Sequence, residues 1–256
     1  MLAIIGGTGL TNLANLQISR REVVRTPYGE PSGHLTFGNI GGAQMVFLAR
    51  HGYAHTLPPH QVNYRANIWA LRNAGVTRIL AVNAVGGISA EMGPGVLAVP
   101  DQIIDYTHDR KHTYFEGEEP VTHVDFTFPF CERGRQLLLG AAQATGMAVQ
   151  TTGTIGVMQG PRLETHAEIL KLGRDGCSMV GMTTMPEAVL AREKKISYAA
   201  LALSINHAAG LGTSAEGIKL ADADTVMAAG MEKVRVILAR AVEMHAALPA
   251  DAKGLG

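Results

Sequence analysis

Arg50 and His51 follow directly on an apolar run, residues 45–49, and His55 and His60 come close behind. Arginine presents a planar fork of N–H donors to phosphate oxygens, and a histidine can add one more N–H. A surface arginine beside a structural histidine accounts for the same residues about as well, so the pair must be judged with its surroundings. Two other apolar runs end in residues suited to the same ligand. Residues 2–5 lead into Gly6-Gly7-Thr8-Gly9, where glycines let the backbone approach an anion and the Thr8 hydroxyl can donate. Residues 79–82 lead into Asn83-Ala84-Val85-Gly86-Gly87. In parallel α/β sheets, ligands bind outside the carboxyl ends of strands, so these ends point to one pocket for a phosphate-bearing ligand.

The elements that must hold these residues can be read from periodicity and turn chemistry. Residues 34–40 and 44–49 read as a hairpin. Residues 63–74 read as a helix with Ala66, Ile68, Trp69 and Leu71 on its apolar face and Gly75 as its C-cap; Trp69 is assigned to core packing. Residues 79–82 form a buried strand that ends in a tight glycine turn at Gly86-Gly87, and 95–104 form another strand. A long segment, 106–129, has little periodicity and carries histidines, acids and phenylalanines. Beyond it come a helix at 132–145, a strand at 148–157, a turn at 158–165 leading into a helix, and a strand end at 180–183. Pro186 opens the next helix, residues 198–205 form the last strand, and 221–247 form a long amphipathic helix. Strands alternating with helices indicate an α/β fold. No linker or composition shift divides the chain, so residues 1–248 are expected to form one domain, with 249–256 as a frayed tail.

Composition removes several function classes. The 256 residues are 46% hydrophobic and 17% charged with zero formal net charge, which argues against nucleic-acid or anionic-membrane partners. Two cysteines, Cys131 and Cys177, form no disulfide framework and fit a reducing, cytoplasmic setting. The first residues lack a basic n-region, no apolar stretch is long enough for a bilayer, and no His/Asp/Glu set has metal-ligand spacing. The Gly6–Gly9 turn is neither a dinucleotide fingerprint, which would need glycine where Asn12 stands, nor a P-loop, since no Gly-Lys-Ser/Thr follows. Alone it reads more readily as a plain glycine turn than as a phosphate cradle.

Taken together, Leu48, Gly52, His55 and Leu57 followed by Asn83-Ala84-x-Gly86-Gly87-Ile88 resemble the signature of the trimeric purine nucleoside phosphorylase and methylthioadenosine phosphorylase family. The resemblance extends to Gly6-Gly7-Thr8-Gly9, Gln159-Gly160-Pro161-Arg162, Met182-Thr183-x-Met185-Pro186-Glu187 and the strand before Asn206. It implies a single-domain three-layer sandwich with a central mixed β-sheet flanked by helices. It also implies phosphate at Thr8, Arg50, His51, Asn83, Ala84 and Thr183, and the nucleoside against Val85, Gly86, Leu163, Met182, Asn206 and Ala208. Leu163 stands where the family usually has an aromatic on the purine face, and Gly181 departs from the asparagine of methylthioadenosine phosphorylases. Further implications are a homotrimer in which His123 closes a neighbour's ribose site, and no cofactor, inorganic phosphate being a co-substrate.

Asn206 bears on the base. In phosphorolysis the purine leaves with negative charge, relieved through N7. Methylthioadenosine phosphorylases carry Asp at the positions matching Asn206 and Ala208; an amide instead donates to O6 and accepts from N7–H. At the sugar's 5′ end, Ile218 and Leu220 offer an apolar wall suited to a methylthio group. The combined expectation is phosphorolysis of S-methyl-5′-thioinosine to hypoxanthine and 5-methylthioribose 1-phosphate. The alternatives are a broad 6-oxopurine nucleoside phosphorylase, a methylthioadenosine phosphorylase, and a nucleotide-binding module without chemistry.

Overall fold

A computed structural model describes residues 1–10, 16–117, 120–249 and 252. The expected tail, 249–256, falls largely outside the described residues. Among those described, ten strands form one mixed sheet, ordered β2 (Gln17–Glu22), β3 (Leu35–Ile40), β4 (Ala43–Ala49), β1 (Leu2–Gly6), β5 (Arg78–Gly87), β9 (Met179–Gly181), β8 (Thr154–Val157) and β7 (Gln102–Asp105). The two remaining strands are β10 (Ser197–His207), paired with β5, and β6 (Leu97–Ala98), paired with β10.

Side-chain alternation along the central strands builds a core on each sheet face. Leu2, Ile4, Leu80 and Leu201 pack with α2 (Glu132–Ala144) and α5 (Leu220–Ala247) through Leu138, Ile237 and Leu238. Ala3, Ile5, Ile79 and Ala200 pack on the other face with α1 (Tyr64–Asn73) and α4 (Thr184–Glu193) through Ile68, Leu71 and Leu190. The result is the expected three-layer sandwich. A smaller cluster seats α3 (His166–Arg174) through Ile169 and Leu172. Helix α1 begins as its sequence indicates, with the Asn63 side chain accepting from Ala66 N, and Trp69 is half-buried against the core.

Three local expectations are corrected. The glycine turn at Gly86-Gly87 is strand: β5 runs ten residues, because β10 pairs it throughout and β9 pairs its last two residues in antiparallel register. Glycine is needed at 87 for close approach, since a Cβ there would stand 1.6 Å from the Met92 carbonyl oxygen. The strand expected at 95–104 divides at Pro100, β6 pairing with β10 and β7 with β8. The strand expected at 148–157 keeps regular pairing only over Thr154–Val157, where β7 and β9 flank it.

β5 is the hub. One of its edges is paired by β10 along its length. The other is paired by β1 over Arg78–Ala81, left open, then paired by β9 at Gly86 and Gly87. At the opening, the Arg50 Nη1 donates to the Val82 carbonyl at 2.9 Å. Its Nε and Nη2 donate to the two Glu187 carboxylate oxygens, both at 2.7 Å, and the Tyr198 hydroxyl donates to the same carboxylate at 2.8 Å. Both side chains of the ion pair are fully buried. Removing one partner of a buried pair strands the other's charge at a cost of about 3–5 kcal/mol. Glu187→Ala is therefore expected to lower unfolding free energy by about that amount in denaturant titration, and Arg50→Met/Glu187→Leu to recover most of it. A double variant no more stable than Glu187→Ala would show that packing, not charge, makes this contact.

Candidate active site

The opening in the sheet is occupied by a cavity of about 550 Å³. Its walls come from the ends of β1, β4, β5, β8, β9 and β10, and they do not all point the same way. β9 runs antiparallel to β5 and returns along its overhang, so that Met182 and Thr183 reach the same space as Ala84, Val85 and Gly86.

At one end lie Gly7, Thr8, Arg50, His51, Ala84 and Thr183. Gly7 admits the Arg50 fork: a Cβ there would stand 2.6 Å from the Val82 oxygen and 2.9 Å from Arg50 Nη1. Arg50, expected as a bidentate phosphate clamp, reaches the cavity as half of an ion pair, with three of its five N–H groups engaged by Glu187 and Val82. The Glu187 charge outweighs burial and holds Arg50 firmly protonated. His51 lines the same cavity, and its tautomer differs from the one expected. Its Nδ1 lies 2.7 Å from the Leu57 carbonyl, which requires a proton on Nδ1. Burial first, and then the Arg50 charge, lower its pKa to about 4, so the ring is neutral at physiological pH and Nε2 is an acceptor, not the expected donor.

Asn83 does not line the cavity. It is buried behind Thr183 and donates from Nδ2 to the Thr183 Oγ1 at 3.0 Å. With its oxygen already accepting, the Thr183 hydroxyl is set to donate elsewhere. Thr183 precedes α4 without capping it through its side chain, and the helical backbone proper begins after Met185, which leaves Pro186 at the tolerated first position.

The other end holds Leu163, Glu164, Met182, Ile205, Asn206 and Ala208. Successive strand residues normally face opposite sides of a sheet. Here the β10–β5 register shifts between Ser204 and Asn206, leaving Ile205 without a β5 partner, and both Ile205 and Asn206 face the cavity. The Ser204 hydroxyl anchors the shift, donating to the Met92 carbonyl at 2.8 Å. The Asn206 Nδ2 donates to the His207 carbonyl at 2.6 Å.

Glu164 was not singled out from the sequence. It is 9% exposed, and its Oε1 is buried with no hydrogen-bond partner. Burial, with the Glu168 charge behind it, holds its carboxyl above the usual range. The available signal was an acid directly beside Leu163 in a turn already assigned to the base. An apolar wall of Leu57, Pro58, Pro59 and Ile218 completes the enclosure. Leu220, expected there, is 66% exposed and is not among the lining residues; as the first residue of α5 it lies two positions beyond the stretch that reaches the cavity. His123 is exposed and does not line the cavity of its own chain. Among the described residues, no helix is long and apolar enough to cross a membrane.

A family model described as "Phosphorylase superfamily" matches residues 1–243. A Pseudomonas syringae protein described as a probable S-methyl-5′-thioinosine phosphorylase is 54% identical over 239 residues, 93% of this chain and 96% of that protein. A 6-oxopurine nucleoside phosphorylase of Pyrococcus furiosus is 45% identical over 231 residues, 88% of this chain and 84% of that one. Among solved structures, the methylthioadenosine phosphorylase of Schistosoma mansoni in complex with adenine superposes with a TM-score of 0.94 at 32% identity, covering 98% of this chain and 94% of that one. With fold, cavity and sequence in agreement over nearly its whole length, the chain belongs to the phosphorylase superfamily, among its purine nucleoside phosphorylases.

Proposed function

We propose that the protein catalyses phosphorolysis of S-methyl-5′-thioinosine, releasing hypoxanthine and 5-methylthioribose 1-phosphate. The observation that carries this reading is the buried Glu164 carboxyl, whose Oε1 has no hydrogen-bond partner, in the same cavity as the Asn206 amide. A 6-oxopurine presents a donor at N1–H and an acceptor at O6; a 6-aminopurine presents the reverse. Glu164 accepts from N1–H, and Asn206 donates to O6 and accepts from N7–H as the base leaves. Ala208 supplies no second acid for a 6-amino group. Leu57, Pro58, Pro59 and Ile218 suit the methylthio substituent, and the name carried by the Pseudomonas relative supports the same substrate.

Inorganic phosphate is the second substrate, and no cofactor is required. Phosphate sits by Thr8, Ala84 and the Thr183 hydroxyl, with Arg50 offering the N–H groups that Glu187 and Val82 leave. The His51 Nε2 accepts the proton of hydrogen phosphate or of a sugar hydroxyl. Phosphate attacks C1′, the C–N bond pair passes to the purine, and Met182, Val85 and Gly86 back the sugar. The protein acts as a cytoplasmic homotrimer in which His123 reaches a neighbour's sugar site. A broader 6-oxopurine activity, favoured by the Pyrococcus relative, is the second reading.

Steady-state rates on methylthioinosine, inosine and methylthioadenosine should rank methylthioinosine first. A preference for the 6-amino substrate would refute the base assignment, and a preference for inosine would select the second reading.

Glu164→Gln should lower kcat/KM for methylthioinosine by about 1–3 kcal/mol, roughly 5- to 150-fold, and leave KM for phosphate unchanged. Glu164 must be ionised to accept, and its pKa is raised. The wild type should therefore lose kcat/KM as pH falls, starting above the ordinary carboxylate range, and Glu164→Gln should lack this limb. An acid limb unchanged in the variant assigns it to another group.

Asn206→Asp should cost about 3 kcal/mol in kcat/KM on methylthioinosine, with only a partial gain on methylthioadenosine. Retention of the full 6-oxo preference would remove Asn206 as the reader.

His123→Ala should raise KM for the nucleoside and spare KM for phosphate. An active monomer by sedimentation would end the shared-site reading.

A further inference from the structure

Arg110 lies in the long segment 106–129, which has no regular element among its described residues, yet it is 8% exposed and saturated with hydrogen bonds. Its Nη1 donates to the Met182 carbonyl at 2.8 Å and to the Met185 carbonyl at 2.6 Å. Its Nη2 donates to the Gln159 carbonyl at 2.7 Å and to the Met158 carbonyl at 3.3 Å. Its Nε donates to the Gln159 Oε1 at 3.0 Å. Five N–H groups thus meet five acceptors within 3.3 Å, the full capacity of a guanidinium, and the Tyr64 hydroxyl stands as a sixth at 3.4 Å from Nη1. Four of the acceptors are main-chain carbonyls, and they belong to two segments only.

Both segments carry residues of the cavity. The first, leaving β8, continues into the turn that bears Leu163 and Glu164. The second, leaving β9, bears Met182 and Thr183. They also touch each other: a Cβ at Gly160 would stand 2.6 Å from the Met182 sulfur. Regular pairing of the two segments ends here with one last rung, the Met158 N–H donating to the Gly181 carbonyl at 2.8 Å, since β8 stops at Val157 and β9 at Gly181. The arginine replaces the ladder. The Met182 carbonyl it holds belongs to the same peptide unit as the Thr183 N–H, so the bond also polarises that N–H toward the cavity.

We infer that Arg110 is a positioning residue, which sets the height and spacing of the base-reading turn and of the Met182–Thr183 turn. This rests on the reading that those residues contact nucleoside and phosphate. A lysine has three donors on one flexible point and cannot span both segments.

The test is Arg110→Lys, assayed with whichever purine nucleoside the wild type cleaves best, so that base preference does not enter. At a temperature where the variant is fully folded by circular dichroism, kcat should fall and the KM values for phosphate and for nucleoside should rise together. A displacement of about 1 Å at the site corresponds to a loss of about 100-fold in kcat/KM. Glu164→Gln, by contrast, should move the nucleoside parameter alone. A lowered Tm with kcat and both KM values within about twofold of wild type would overturn the inference and leave Arg110 a stabilising residue only. Gln159→Leu removes one of the five acceptors and leaves the arginine. It should shift the same two KM values in the same direction, and unchanged values there overturn the inference even if Arg110→Lys does not fold.

Discussion

The cavity exists because β5 is longer than its neighbour β1, and it stays open because Arg50 closes the exposed edge from beneath. The Val82 carbonyl, left without a strand partner, would be an orphaned acceptor in the interior; Arg50 satisfies it and returns its remaining fork to Glu187. Burial disfavours the guanidinium's charge, and the Glu187 carboxylate more than offsets this. One buried pair thereby joins β4, β5, α4 and, through the Tyr198 hydroxyl, β10. Three of the strands whose ends supply the cavity are thus tied to one another and to α4 through this buried pair.

Local electrostatics follow from that commitment. Around Gly7, Thr8 and Thr183 the cavity therefore presents an ion-paired guanidinium, a neutral imidazole and a hydroxyl that already accepts from Asn83. The Oε1 of Glu164, in the same cavity, has no hydrogen-bond partner. A buried acceptor without a donor is costly unless a ligand supplies one. Stability is given up at this position, and the base-reading chemistry assigned to it gives a physical reason.

Two departures from regular structure aim side chains into the cavity. The register shift at Ile205 turns two adjacent residues of β10 toward the same space, and Arg110 holds two strand exits where the ladder has ended. Each device uses a single side chain, Ser204 or Arg110, to replace what strand pairing provides elsewhere.

Much of this was legible in the sequence. The α/β class, the hairpin, α1 with its Asn63 start, α2, α5 and most of the cavity-lining residues follow from periodicity, caps and a family signature, because these depend on neighbours a few positions away. Only the tertiary structure decided what those residues do to one another. The partners of Arg50 and His51 could not be read locally, because a side chain's free hydrogen-bonding capacity depends on its contacts: Glu187 is 137 positions from Arg50, and the Leu57 carbonyl sets the His51 tautomer. Gly86 and Gly87 read as a turn but lie in a strand, since β9 and β10 arrive from more than ninety positions downstream. Arg110 carries no local signal that separates it from a surface charge, and Glu164 only its place beside Leu163; burial and the number of partners single them out, and both are properties of the packed chain alone.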